Sequence, residues 1–250
     1  MGLSRISSAL VALILLSACS APAPAPQPSG GGKTVDAATA GALTGKALFE
    51  GAPPAVDPLK MASDPACATA AGPNAMNDDV LVKDGALQNV FVYVKSGLDA
   101  AYSFDVPTTP VELDQRACRY VPRVLGIRVG QTLAIVNSDE TFHNVHALPK
   151  ASSEFNRGMS LKGERYTRTF STPEVMVRFK CDVHAWMGAH VGVMAHPFFA
   201  VTKADGTFEI PGLPPGTYTI EAWHERFGTA TQQVTIGDKQ TQSASFTFKS

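Results

Sequence analysis

The heptapeptide Cys181-Asp182-Val183-His184-Ala185-Trp186-Met187 constrains this chain most, because it sets a thiol, an imidazole and a thioether at intervals of three. The stretch leading into it, Val175-Met176-Val177-Arg178-Phe179-Lys180-Cys181, alternates apolar and polar residues, the period of a half-buried strand. That parity predicts Val175, Val177, Phe179 and Cys181 on the inward face, with Arg178 and Lys180 in water. After Cys181 the alternation stops, so a short loop must return His184 and Met187 toward the sulfur. Soft sulfur donors together with imidazole suit an ion that cycles between Cu(I) and Cu(II), since sulfur stabilises the reduced ion and nitrogen the oxidised one.

A fourth donor has to come from another stretch. Asn137-Ser138-Asp139-Glu140-Thr141-Phe142-His143-Asn144-Val145-His146 follows the strand-like run Thr132 to Val136 and offers two imidazoles. His143 and His146 are an odd number of residues apart and face opposite ways on an extended segment, so only one of them can reach the metal. Taken singly, Cys181 reads as a buried core thiol and Met187 as apolar filler. Structural zinc sites collect several Cys and His ligands without Met, and a c-type haem requires Cys-x-x-Cys-His, a motif this sequence lacks.

His143-Asn144-Val145-His146, followed further along by Cys-x-x-His-x-x-Met, resembles the cupredoxins, the small blue copper proteins, and within them the amicyanin type. The resemblance runs over residues 111–196 and implies a Greek-key β-sandwich holding one type 1 copper ion. The ligands it implies are His143, Cys181, His184 and Met187, with Asn144 tying the ligand strands together. It also implies an electron exit at the exposed edge of His184, flanked by an apolar patch of Ala185 and Trp186 for a transient redox partner. A metal filled by four protein ligands has no position for substrate, which favours a single-electron carrier over an enzyme. A copper store or chaperone is the alternative, but Met159, Met176 and Met194 are too scattered to form a displaceable cluster. A third reading is a surface ligand-binding module with structural copper.

Beyond the copper loop, Asp205-Gly206-Thr207-Phe208-Glu209-Ile210 and then Leu213-Pro214-Pro215-Gly216-Thr217-Tyr218 resemble the carboxypeptidase regulatory-like, transthyretin-type β-sandwich. Its usual opening is matched by Gly45-Lys46-Ala47 and the turn Gly51-Ala52-Pro53-Pro54. Residues 41–110 then supply N-terminal strands, with Val90, Val92 and Val94 on one face, and 197–250 the C-terminal ones. Two arrangements fit: a copper domain (111–196) inserted into this smaller sandwich, or two consecutive domains. Between the first strands, Asp57 to Lys83 reads as a long ordered loop.

Residues 1–19 read as an address. Arg5 precedes the apolar run Ala9 to Leu16, which is too short for a spanning helix of about twenty residues. Leu16-Ser17-Ala18-Cys19 resembles a bacterial lipobox, implying a lipid on Cys19 and a place in the cell envelope. Ser20 supplies no acidic retention signal, so the expected anchor is the periplasmic side or the outer membrane. Residues 20–40, rich in Pro, Ala and Gly, form a tether.

Four cysteines, less Cys19 and Cys181, leave Cys67 and Cys118, which an oxidising compartment would join. Lys plus Arg is 21 against 22 for Asp plus Glu, which gives no basis for nucleic-acid binding. With 21 Gly and 18 Pro among short apolar runs, the chain reads as all-β, and a monomer is expected. His146, His190, His196 and His224 have no ligand-like spacing and read as surface or hydrogen-bonded imidazoles.

Overall fold

A computed structural model describes Met1 and residues 31–250. The lipobox with Cys19, the rest of the leader and the tether up to residue 30 lie outside the described residues. Among the described residues, no helix is long and apolar enough to cross a membrane.

The strands come in three groups. β1 (Gly41–Glu50), β2 (Val82–Lys83), β3 (Ala86–Leu87) and β4 (Phe91–Ser96) come first, with a helix, α1 (Pro65–Ala71), between β1 and β2. The middle group is β5 (Val111–Arg116), β6 (Arg119–Val121), β7 (Val124–Arg128), β8 (Leu133–Asn137), β9 (His143–Leu148), β10 (Phe155–Met159), β11 (Arg165–Arg168), β12 (Glu174–Lys180) and β13 (Gly188–Met194). The last is β14 (Phe199–Val201), β15 (Thr207–Leu213), β16 (Gly216–His224), β17 (Gly228–Ile236) and β18 (Thr241–Lys249).

Pairing interleaves the first and last groups. One sheet runs β15-β1-β3-β2 with β18 alongside β1, and a second runs β14-β4-β16-β17. Strand β18 lies parallel to β1 from Ala42↔Thr241 to Glu50↔Lys249, so the end of the chain closes the sheet its beginning opened. These two sheets enclose Leu43, Leu87, Val92, Ile210, Ile220 and Phe246. The middle group forms two further sheets, β10-β9-β12-β13-β7 and β11-β8-β5-β6, around Leu113, Ile127, Ile135, Phe179 and Val191. Each such side chain taken fully out of water contributes roughly 1.5–3 kcal/mol.

Strand β4 joins the two bodies because it is apolar on both faces. Val90, Val92 and Val94 point into the first core, while Phe91 and Tyr93, of opposite parity, pack with Val124 and Met194 against the middle group. The contact depends on two glycines paired across β7 and β13, Gly126 and Gly192. A Cβ on either would sit 2.4–2.8 Å from ring atoms of Phe91, so only glycine lets that ring lie against the sheet. Beside it, Arg123 donates to both carboxylate oxygens of Glu225 (2.5 and 2.8 Å) and to Asp78 (2.6 Å).

Two sequence expectations need correction. The stretch from Asp57 to Lys83 is not wholly a loop: it contains α1 and β2. Asp64 caps the helix, accepting from the N–H groups of Ala66 and Cys67, Pro65 begins it and Gly72 follows it. In β12 the alternation slips by one, because a bulge between Glu174 and Val177, with Met176 at φ 66°, reverses the parity of the first residues. Val175 is therefore 40 % exposed, while Val177, Phe179 and Cys181 do face inward.

Candidate metal centre

Three donors converge where β9 begins and β12 ends. Strand β9 opens on His143, buried in the middle core, and β12 delivers Cys181 from the adjacent strand. The loop after Cys181 turns back at once. Met187 N–H donates to the His184 carbonyl (2.9 Å) and Cys181 N–H to the Met187 carbonyl (3.3 Å), which brings Met187 back beside Cys181 in the buried core.

The Nδ1 atoms of His143 and His184 lie 3.0 Å apart, and His184 Nδ1 is 3.7 Å from Cys181 Sγ. Donor atoms from these three residues all lie within 4.8 Å of one another. Two nitrogens and a sulfur bound tetrahedrally at about 2.05 and 2.3 Å to one ion would be separated by roughly 3.3 Å (N to N) and 3.6 Å (N to S). The observed N to N spacing of 3.0 Å is slightly shorter than the first value and the N to S spacing of 3.7 Å slightly longer than the second.

The far side of each imidazole is held by a carboxylate. His143 Nε2 meets Asp139 Oδ2 at 2.9 Å, and His184 Nε2 meets Asp64 Oδ2 at 3.0 Å. An ionised carboxylate only accepts, so each Nε2 carries the hydrogen and each Nδ1 turns a lone pair inward. Two lone pairs 3.0 Å apart repel unless a proton or a metal cation lies between them. The metal-free electrostatics match this. Burial opposes protonation of His143, but Asp139 and Cys181 outweigh it and lift its pKa to about 9. Burial pushes the His184 pKa down despite Asp64. Burial likewise opposes ionisation of Cys181, yet the His143 ring and nearby backbone N–H groups bring its pKa below the ordinary thiol value. An acidified thiol, a neutral imidazole and a displaceable proton between the two rings make a donor set that a soft cation can enter by displacing protons, so the donors fit the implied copper.

Asn144 ties the ligand strands together. Its Oδ1 accepts from Cys181 Sγ (3.2 Å) and Asp182 N–H (2.7 Å), and its Nδ2 donates to Asn156 (2.6 Å) and Asp182 (2.9 Å). Tyr120, buried beneath, donates to the Asn144 carbonyl at 2.7 Å. Cys67 and Cys118 are joined by a disulfide, and the Cys67 sulfur lies 3.6 Å from His184 Nε2.

The expected exposure of the His184 edge is corrected by this arrangement. His184 is 2 % exposed, because Asp64 and Cys67, at the start of α1, lie against its outer nitrogen. Ala185 is exposed and Trp186 half-buried, its ring 5.1 Å from His184 and its Nε1 donating to the Cys118 carbonyl (3.0 Å). His146 points away from the cluster, held by Asp182 (2.9 Å) and Glu154 (2.8 Å). His190 stands against Glu225 and Trp223, His196 bonds the Val94 carbonyl, and His224 stacks on Phe227. Sequence reasoning missed Asp64 and Asp139. The Asp-Pro helix start three residues before Cys67 is a readable signal for the first, whereas Asp139 has no signal beyond lying four residues before His143.

The fold and the site define two joined β-sandwiches, the one built from the middle group of strands holding a buried cluster of two imidazoles and a thiol. Residues 185–249 match the family model of the carboxypeptidase regulatory-like domain, a stretch that also takes in β13, whose hydrogen bonds run to β12 and β7. No curated protein sequence matches the chain. Among solved structures, the chain is similar to a copper-containing nitrite reductase from Thermus scotoductus, with 24% identity and a TM-score of 0.33. That alignment covers 40% of this chain and 25% of the reductase, so the chain spans about a quarter of that enzyme. A methionine-to-alanine mutant of amicyanin in the Cu(I) state is 22% identical over 41% of this chain and 98% of its own, with a TM-score of 0.32. A purple cupredoxin from Nitrosopumilus maritimus is 27% identical over 31% and 84%, with a TM-score of 0.28.

Proposed function

We propose that this protein is a type 1 copper protein that carries single electrons between redox partners, with His143, Cys181, His184 and Met187 as ligands. Bound there, copper would supply a one-electron couple between Cu(I) and Cu(II). The observation that carries the reading is the convergence of both Nδ1 atoms and the Cys181 sulfur inside a core, with each outer nitrogen already engaged by a carboxylate. The chain's own part is rigidity and dryness. Asn144 fixes Cys181 against β9, the backbone bonds of the 181–187 loop fix His184 and Met187, and the packed core excludes water.

The electron leaves through the surface over His184. With that imidazole covered by Asp64 and Cys67, the route is the Trp186 ring and the exposed Ala185 beside it, where a redox protein docks transiently. The role is that of a carrier without a substrate-turnover step. In this reading residues 41–110 and 197–250 form a spacer module around the copper domain of 111–196, and a lipid on Cys19 holds the monomer in the bacterial envelope.

Voltammetry of the copper-loaded soluble body, residues 31–250 expressed without the lipid segment, tests the carrier. A reversible one-electron wave with rapid self-exchange is the expected result. Surrender of Cu(I) to a soluble competitor within seconds, without a reversible wave, would replace the carrier with a chaperone.

A further inference from the structure

Both imidazoles of the centre are held from behind by carboxylates, and the two cysteines of one disulfide anchor both carboxylates. Asp64 Oδ2 accepts from His184 Nε2 (3.0 Å) and Thr141 Oγ1 (2.9 Å), while its Oδ1 accepts from the N–H groups of Ala66 (2.9 Å) and Cys67 (3.1 Å). Asp139 Oδ2 accepts from His143 Nε2 (2.9 Å) and Cys118 N–H (2.8 Å), while its Oδ1 accepts from Ala117 N–H (2.7 Å). The disulfide between Cys67 and Cys118 thus links the two pairs, one on each side of the donor cluster. In each case the carboxylate's ion-pair partner is its histidine.

We propose that Asp64 and Asp139 are matched positioning residues that lock both imidazoles with Nδ1 toward the metal and bias the centre toward its oxidised, more highly charged ion. This rests on the copper reading above. A carboxylate on the outer N–H of a ligating histidine fixes its tautomer and raises its basicity. Two such negative charges at opposite ends of the ligand pair interact more strongly with a doubly charged ion than with a singly charged one. The arrangement also covers the outer nitrogen of His184, so the charge of the partly buried Asp64 acts at hydrogen-bond distance from a buried ring.

Asp64→Asn separates charge from shape. Asparagine caps a helix as well as aspartate does, so α1 keeps its start. With its one oxygen engaged by the Ala66 and Cys67 N–H groups, the new amide turns its nitrogen toward His184 and demands an acceptor there. Nitrogen-15 NMR of the metal-free proteins should show His184 carrying its hydrogen on Nε2 in the native chain and on Nδ1 in the variant. Cu(II) affinity should fall by about 10–100-fold. Cu(I) affinity should fall less, each tenfold difference between the two raising the potential by about 59 mV. Asp64→Ser, which keeps the cap but offers His184 no rigid partner, should show a mixture of tautomers and an intermediate potential.

An unchanged His184 tautomer in Asp64→Asn, or an altered tautomer with an unchanged potential, would overturn the inference. A native protein that takes up no copper would overturn the proposed function instead, and the metal-free tautomers would still decide whether Asp64 orients His184.

Discussion

Replacing both Cys67 and Cys118 by alanine removes the bridge that holds α1 over the centre, and the structure fixes how much this should cost. The bridge spans a sequence separation of 51 residues. Closing a loop of that length lowers the entropy of the unfolded chain enough to stabilise the native state by about 4 kcal/mol. The packing of Met61, Leu59, Ala68 and Ala71 on the core, together with the Asp64 cap, remains in the variant, so α1 should loosen rather than vanish. Urea unfolding of the metal-free soluble body should therefore show a loss of about 2–5 kcal/mol, the range for removing a native bridge. The loosened cap should also uncover His184 Nε2, and a chelator should strip bound metal at least about tenfold faster, in line with the loss of a histidine's outer partner. A loss below about 1 kcal/mol with an unchanged stripping rate would refute the argument that this bridge clamps the carboxylates and covers the histidine.

Other perturbations address other parts of the account. Trp186→Ala should leave the visible spectrum and the potential nearly unchanged while slowing electron self-exchange by about tenfold or more, measured by NMR line broadening, because the half-buried ring lies 5.1 Å from the His184 ring on the proposed route. Gly192→Ala places a methyl 2.4 Å from the Phe91 ring and should cost about 1–3 kcal/mol of stability, read from chemical denaturation. Burial against Phe227 pushes the His224 pKa down to about 4, so between pH 6.5 and 4 the unfolded chain binds a proton that the folded chain refuses. His224 should then contribute a loss of about 3 kcal/mol as pH drops through that window, and His224→Phe should remove that share of the slope. A further loss between pH 4.5 and about 2 should persist in that variant, because burial opposes ionisation of Glu225 but Arg123 and His190 outweigh it and hold its pKa near 2.

Local signals in the sequence carry much of this fold and site. The period-two run into Cys181 and the valines of β4 have the parity of their sheets, because one face of each strand must leave water. Parity failed at Val175, where a bulge intervenes, and nothing in Glu174-Val175-Met176 announces a left-handed residue. The heptad of donors was readable because loop ligands lie close in sequence. The carboxylates behind them were not: Asp64 reaches His184 across 120 residues, and such a contact leaves no periodicity. The same distance hid the burial of His184, since the cover comes from α1 and not from the loop itself. What the sequence did offer at α1 was Asp64-Pro65, a cap followed by a helix-starting proline, within a stretch whose Pro and Asn content read as loop.

The most direct measurement is cupric titration of the soluble body, followed by visible absorption and EPR, beside a Cys181→Ala variant. The account predicts one equivalent of copper, an intense thiolate band with the narrow copper hyperfine splitting of a type 1 centre, and loss of both in the variant. A colourless protein after titration, or a spectrum indifferent to Cys181, would contradict it.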